Sequence, residues 1–299
     1  MTALTLGGLM VPAVSTFDAH GALDRAAFQS NLSTHLAHGV DGVLVAGSSG
    51  ESALLDDQDR QALLGWAREV VPADRWLLAG IGSESTRQTI SRAHDAKAAG
   101  ATAVLVVSPH YFLRRMTEAA LLAHFQAVAD ASPLPVMLYN IPAYAHVVLS
   151  PALVQTMAQH PNVIGMKDSA GNLPVLAQYL EAQSDSFRVL TGSGGTLASA
   201  LQMGASGAIL AIALFAGPQV RALFNTARAG DAEAAAALQA RLVPLATDIG
   251  AALGPAGIKA AMTMAGLQGT VPRAPLLAMN AEELAVIRER LTAAGVIGA

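Results

Sequence analysis

Residues 134–172, LPVMLYNIPAYAHVVLSPALVQTMAQHPNVIGMKDSAGN, decide the fold. Two short apolar runs, Leu134–Asn140 and Val163–Lys167, flank a helical stretch, Ser150–Gln159. Both runs are continuously apolar rather than alternating, the pattern of parallel strands buried on both faces. Ser150 stands at a capping position and Pro151 at a first helical position, which its fixed φ suits. The unit therefore reads strand, helix, strand.

Working outward, the same unit recurs along the chain. Strands are predicted over Gly8–Ser15, Gly39–Gly47, Trp76–Gly82, Thr102–Pro109, Phe187–Gly192 and Ala205–Ala211, making eight with the two above. Helices are predicted over Asp24–Ala37, Asp57–Val71, Ser85–Ala99, Thr117–Ala131, Leu173–Gln183, Gly195–Met203 and Gly217–Ala229. Thr117 reads as a cap, and Gly100 as a terminator. Eight alternations imply parallel pairing with right-handed crossovers, and a (β/α)8 TIM barrel is the closure that suits them. An open doubly wound sheet is the alternative, although such sheets rarely keep eight regular repeats. Beyond Asp231 the strand signal stops. Asp231–Leu253, Ala256–Ala265 and Ala281–Ala294 read as helices, punctuated by Pro255 and by Gly269–Pro275. The expected division is a barrel over 1–230 and a C-terminal helical extension over 231–299.

Composition narrows the function. Hydrophobic residues make up 53% and charged residues 13% of the 299, which excludes a disordered chain. A net charge of -4 with 18 Lys+Arg leaves nothing to neutralise phosphates, so no nucleic-acid partner is expected. Cysteine is absent, excluding disulfides, thiolate metal sites and a cysteine nucleophile. The N-terminal stretch lacks the positive start of a secretory signal. The longest apolar run, Gly207–Gly217, falls short of the roughly 20 residues that cross a bilayer. A cytoplasmic protein without a membrane partner is expected. The mean hydropathy of +0.42 is high and predicts apolar surface covered in an oligomer.

Barrel chemistry sits at the C-terminal ends of strands. The chain has three lysines. Lys97 reads as a solvated helix residue, and Lys259, in GPAGIKAAM, as structural or partly exposed. Lys167 ends a buried strand, where burial disfavours an ammonium and a neutral amine can attack a carbonyl. The bland alternative is a lysine paired with Asp168. Tyr139 ends the preceding strand and should lie near Lys167, where a phenol can shuttle protons; the alternative is a ring packed at the mouth. Gly47-Ser48-Ser49-Gly50-Glu51 can cradle a carboxylate or phosphate with amides and hydroxyls, or its glycines can be conformational only. Gly192-Ser193-Gly194-Gly195 reads the same two ways. The eight histidines form no metal-ligand pattern. His35 and His38 share a helix without a carboxylate, while His110 and His146 follow strands and could line the site.

GSSGES at 47–52, SPHY at 108–111, YNIP at 139–142, GMKDSAGN at 165–172 and PRAPL at 272–276 resemble the dihydrodipicolinate synthase / N-acetylneuraminate lyase family, over Met10 to about Leu291. The resemblance implies a barrel with a helical C-terminal extension, a homotetramer built as a dimer of dimers, and a class I lyase without metal or other cofactor. It implies a Schiff base between Lys167 and pyruvate or a 2-oxo acid, with Tyr139 as the proton-transfer residue. It places Ser48, Ser49 and Gly47 at the pyruvate carboxylate. Ser169, Gly192 and the carbonyl of Ile209 face the site. Tyr111 matches a tyrosine that reaches a neighbouring subunit's site. Dihydrodipicolinate synthases carry an arginine five residues after the tyrosine, for the carboxylate of aspartate semialdehyde; here that position is Tyr144. The chain is most similar to 4-hydroxy-2-oxoglutarate aldolases, although Ser48-Ser49 and Ala143-Tyr144 depart from their pattern.

The expected function is a pyruvate-dependent aldolase that makes or cleaves a 2-oxo acid such as 4-hydroxy-2-oxoglutarate or a 2-keto-3-deoxy sugar acid. The alternative is a dihydrodipicolinate synthase condensing pyruvate with aspartate semialdehyde. A non-catalytic pyruvate sensor is the remote alternative. Tyr144 and His146 are the candidates for second-substrate specificity.

Overall fold

The computed structural model describes residues 4–298. Met1–Ala3 and Ala299, the outer ends of the two expected regions, lie outside the described residues. Eight strands close into a barrel in sequence order: β1 (Gly8–Pro12), β2 (Gly42–Val45), β3 (Trp76–Gly80), β4 (Ala103–Val107), β5 (Val136–Asn140), β6 (Val163–Asp168), β7 (Arg188–Thr191) and β8 (Gly207–Ile209). Each neighbouring pair is parallel, and β8 closes on β1. The fold is the TIM barrel predicted.

The continuous apolar runs are explained by two cores, one on each face of the same strands. Met10, Leu44, Leu78, Leu105, Met137 and Leu190 point inward and fill the barrel. Their neighbours Leu9, Val43, Leu77, Val104, Leu138 and Val189 point outward into the layer beneath the helices. Successive strand residues face opposite ways, so both must be apolar.

The helices are α1 (Arg25–Ala37), α2 (Asp57–Val70), α3 (Thr86–Ala98), α4 (Glu118–Ala131), the short α5 (Pro142–Ala145), α6 (Pro151–Met157), α7 (Leu173–Leu180), α8 (Leu197–Gln202) and α9 (Gly217–Arg228). Polar caps start them: the Asp24, Thr117 and Ser150 side chains accept the N–H groups of Ala27, Ala120 and Leu153. Gly100 follows α3 at φ 85°, the left-handed conformation that ends a helix.

Several strands are shorter than predicted. β1 stops at Pro12 because its ladder to β2 ends at the Pro12–Leu44 pair. Ala13–Thr16 then leave the sheet, and Ser15 Oγ donates to the carbonyl of Gly50 at 2.7 Å. The predicted helix over Asp231–Leu253 is two elements. α10 (Ala232–Pro244) gives way to a π-helical turn over Leu245–Ala251. Pro244 has no N–H to continue the α ladder, and π turns often accompany functional sites. α11 (Gly254–Met264) follows, with Pro255 in its first turn rather than breaking it, and α12 (Ala281–Ala293) comes last. Among the described residues no helix is long and apolar enough to cross a membrane.

Candidate active site

The ends of the strands open into a cavity of about 340 Å³, whose walls include Ser48, Ser49, Tyr139, Tyr144, Lys167, Ser169, Gly192 and Ile209. β5 and β6 set its centre. Their register pairs Tyr139 with Lys167 and Asn140 with Asp168. The pleat sends the first pair into the cavity and the second to the opposite face. Lys167 Nζ donates to Tyr139 Oη at 3.2 Å and lies 4.4 Å from the ring centre. Both side chains are buried. Tyr139 Oη lies 3.5 Å from Ser48 Oγ. Amine, phenol and hydroxyl thus stand in a row, a path along which a proton can move.

The pairing of Lys167 with Asp168 does not form, because adjacent residues on a strand face opposite sides. Asp168 Oδ1 instead accepts Asn140 Nδ2 at 2.7 Å, and Asn140 Oδ1 accepts the Leu149 N–H at 3.1 Å. Burial pushes the Asp168 carboxyl up, against the bonds from Asn140 and Ala170, which lower it.

The serine pair sits in a single tight turn, Ser48–Gly50, after β2. Two non-glycine residues in the left-handed region flank it, Ala46 at φ 55° and Glu51 at φ 57°. Such strain persists only where the surroundings hold it, and it clusters at functional sites. Gly47 does not line the cavity. Its backbone is extended at φ -82°, and a Cβ there would lie 2.8 Å from Leu44 Cδ2. Gly192 does line it, and a Cβ there would lie 2.0 Å from Ser169 Oγ and 2.7 Å from Lys167 Cε. The space its missing side chain leaves is filled by Ser169 Oγ and the Lys167 stem.

Tyr144 is at the mouth, 47% exposed, with its phenol raised by burial and by Tyr139. Tyr111 is not part of this chain's cavity. Its side chain is 77% exposed, and its ring packs edge-on against Phe112. The backbone N–H groups of His110 and Tyr111 both donate to Glu84 Oε2. His110 Nδ1 lies 3.2 Å from Glu84 Oε1. His146 is exposed at φ 53°, and neither histidine lines the cavity.

Part of the wall comes from the C-terminal region, which the sequence predicts only as helices punctuated by Pro255. Ala246, Thr247 and Gly250 of the π turn and Pro255 and Ile258 of α11 close the cavity on its far side. The signal was present as Pro244, Gly250 and Pro255 interrupting a helical stretch. Of the two roles expected for Lys259, structural or partly exposed, the structure shows the first: its Nζ is buried, 2.5 Å from Glu51 Oε1, and donates to the Val271 carbonyl at 2.8 Å. Burial pushes its ammonium down, and Glu51 draws it back up. It does not line the cavity, whereas Lys97 lies exposed on α3.

Lys167 is the one charged side chain among the described residues that line the cavity. The remaining polar groups are hydroxyls, those of Ser48, Ser49, Tyr139, Tyr144, Ser169, Ser193 and Thr247.

Comparison with known proteins agrees with this geometry. The model of the dihydrodipicolinate synthetase family matches residues 5–294. The 4-hydroxy-tetrahydrodipicolinate synthase of Xanthomonas axonopodis pv. citri is 39% identical over 279 residues, 93% of this chain and 91% of that protein. The crystal structure of a dihydrodipicolinate synthase from Bacillus anthracis superposes with a TM-score of 0.92 at 28% identity, covering 99% of this chain and 100% of that one. YagE, a prophage protein of the dihydrodipicolinic acid synthase family from E. coli K12, solved in complex with pyruvate, gives a TM-score of 0.90 at 30% identity over 98% of this chain and 99% of that one.

Proposed function

This chain belongs to the dihydrodipicolinate synthetase family, whose enzymes act through a lysine Schiff base with pyruvate, and we propose that Lys167 is that lysine and that the second substrate is an uncharged, hydroxylated aldehyde. The reaction is then formation or cleavage of a C–C bond in a 2-keto-3-deoxy sugar acid. The Lys167 amine adds to the keto carbon of pyruvate and water leaves, giving an imine. The imine is an electron sink, so loss of a methyl proton gives an enamine, and the enamine carbon attacks the aldehyde. Tyr139 takes up the proton that the methyl group loses and returns it to the new alkoxide, with the Ser48 hydroxyl beside it as hydrogen-bond partner. Hydrolysis of the imine frees the product. The Ser48–Ser49 turn receives the pyruvate carboxylate on hydroxyls and amides.

The observation that carries the choice of aldehyde is the single charge in the cavity. A second carboxylate, as in aspartate semialdehyde or in the glyoxylate half of 4-hydroxy-2-oxoglutarate, would find no cation besides the Lys167 amine consumed in the imine. A charge-assisted bond of that kind is worth about 1.5–3 kcal/mol. Tyr144 stands where the family's synthases place an arginine, and it offers a neutral phenol.

A second reading is condensation of pyruvate with aspartate semialdehyde. It is favoured by the relatives, since proteins 33–39% identical over nine-tenths of this chain are 4-hydroxy-tetrahydrodipicolinate synthases.

Two measurements test these readings. Intact mass and peptide mapping after incubation with pyruvate and borohydride should show one pyruvyl adduct, on Lys167 in the wild type and absent in Lys167→Ala. An adduct elsewhere, or none, overturns the Schiff-base assignment. Turnover of glyceraldehyde-type hydroxyaldehydes should then exceed that of aspartate semialdehyde; the reverse order selects the second reading.

A further inference from the structure

Glu51 directly follows the Ser48–Gly50 turn, and its left-handed backbone turns its side chain away from the cavity. There it is fully buried against Lys259 of α11, at 2.5 Å, and its second oxygen accepts the Arg273 backbone N–H at 2.7 Å. Lys259 in turn donates to the Val271 carbonyl and lies 4.4 Å from the centre of the Phe17 ring. Arg273 bonds Asp59 at the start of α2 and the Gly21 carbonyl after β1. The neighbour of Lys259 in sequence, Ile258, faces the cavity. The two walls that meet over the pyruvate end, the serine turn and α11, are therefore fastened to each other from behind.

We infer that the Glu51–Lys259 pair is a positioning device that holds Ser48 and Ser49 in register to receive the substrate carboxylate, so that the helical region after the barrel sets pyruvate affinity without touching pyruvate. This rests on the reading that pyruvate binds at Lys167 with its carboxylate on the serine turn. The physical reason for an ion pair here is directional. A buried charge without its partner is costly, so the pair tolerates only backbone positions that keep the two groups together. An apolar contact would permit sliding. The left-handed Glu51 needs such an anchor, because a β-unbranched L residue leaves that conformation when nothing holds it.

Three variants test the inference: Glu51→Gln, Lys259→Met, and the double variant Glu51→Gln/Lys259→Met. The single variants leave one buried charge alone and lose stability. The double variant has no unpaired charge and is the deciding protein, since paired neutral replacements of similar volume are often tolerated. The readouts are the pyruvate concentration that gives half-maximal borohydride-trapped adduct on Lys167, the trapping rate at saturating pyruvate, and the melting temperature. Failure to trap wild type overturns the pyruvate reading itself. With wild type trapped, the expected result for the folded double variant is a half-saturating pyruvate concentration raised about tenfold, the loss of one carboxylate hydrogen bond. Its saturated trapping rate should stay within about threefold of wild type, because Lys167 and Tyr139 belong to other strands. A rise of less than threefold in the folded double variant overturns the positioning role and leaves the pair a stabilising contact only.

Discussion

Replacing Gly192 by alanine should damage the chemistry while sparing the fold. Gly192 adopts no positive φ, so alanine meets no backbone strain there. The added methyl would lie 2.0 Å from Ser169 Oγ and 2.7 Å from Lys167 Cε, where ordinary contact begins at 3.4 Å. Both obstacles are side chains that can move. Ser169 can rotate; Lys167 must withdraw by about 0.7 Å, the difference between 3.4 and 2.7 Å, and its Nζ then leaves the 3.2 Å contact with Tyr139. A displacement of about 1 Å in a reacting group costs up to roughly 100-fold in rate. The cost to stability of such overpacking is about 1–3 kcal/mol, a melting shift of several degrees for a chain this large. The assay is the rate of pyruvyl adduct formation on borohydride quenching, beside a thermal melt. Gly165→Ala is the contrast: its methyl would lie 2.2 Å from the Arg188 carbonyl of the neighbouring strand, a backbone atom that cannot step aside, and it should lose the fold. Adduct formation by Gly192→Ala at the wild-type rate would refute the claim that this missing side chain makes room for the Lys167 stem.

Tyr139→Phe keeps the ring and removes the hydroxyl 3.2 Å from Lys167 Nζ, and it should lower turnover about 10²- to 10⁴-fold while the pyruvyl adduct still forms; unchanged turnover would exclude Tyr139 from proton transfer. Tyr144→Phe should raise KM for the aldehyde several-fold and leave half-saturating pyruvate unchanged, because the phenol stands at the mouth; equal changes in both would contradict a role in specificity. Stability should fall as the solution is acidified below about pH 6.5. Burial holds the imidazoles of His35, with His38 adding to the effect, and His124, against Glu84, at about 4, so each is neutral in the folded chain and protonates first in the unfolded one. The unfolded state binds more protons between pH 6.5 and 4, so their contribution is complete above 6.5 and is lost as pH falls through 4. Urea unfolding should show a loss approaching about 2 kcal/mol per histidine from pH 7 to 5, and His35→Leu should flatten that slope.

How much of this was legible before folding follows from the range of the interactions involved. Strand and helix order, the TIM barrel and the placement of Lys167 and Tyr139 could all be read from the chain, because each rests on local patterns. A run such as VMLY is apolar on both faces whatever surrounds it, and consecutive parallel strands bring the C-terminal ends of β5 and β6 side by side; the register that puts Tyr139 opposite Lys167 also depends on a one-residue shift between Val136 and Met137, which no local pattern announces. The Gly-Ser-Ser-Gly stretch was legible as a turn at the end of β2 for the same reason. The strained φ values of Ala46 and Glu51 that hold it were not, since no composition signals them.

What tertiary structure decided were the pairings between residues far apart in the chain. Whether Lys259 was structural or partly exposed stayed open in the sequence because its partner, Glu51, lies more than 200 residues away along the chain. Asp168, the obvious partner of Lys167 by adjacency, is turned from it by the pleat and held by Asn140. The far wall of the cavity comes from a π turn that follows Pro244 and from α11, docked there by long-range contacts. Sequence by itself determined which groups the chain possesses and the local geometry that presents them; burial and closure of the barrel decided which of them meet, because charge pairing and cavity shape depend on distances that no local pattern encodes.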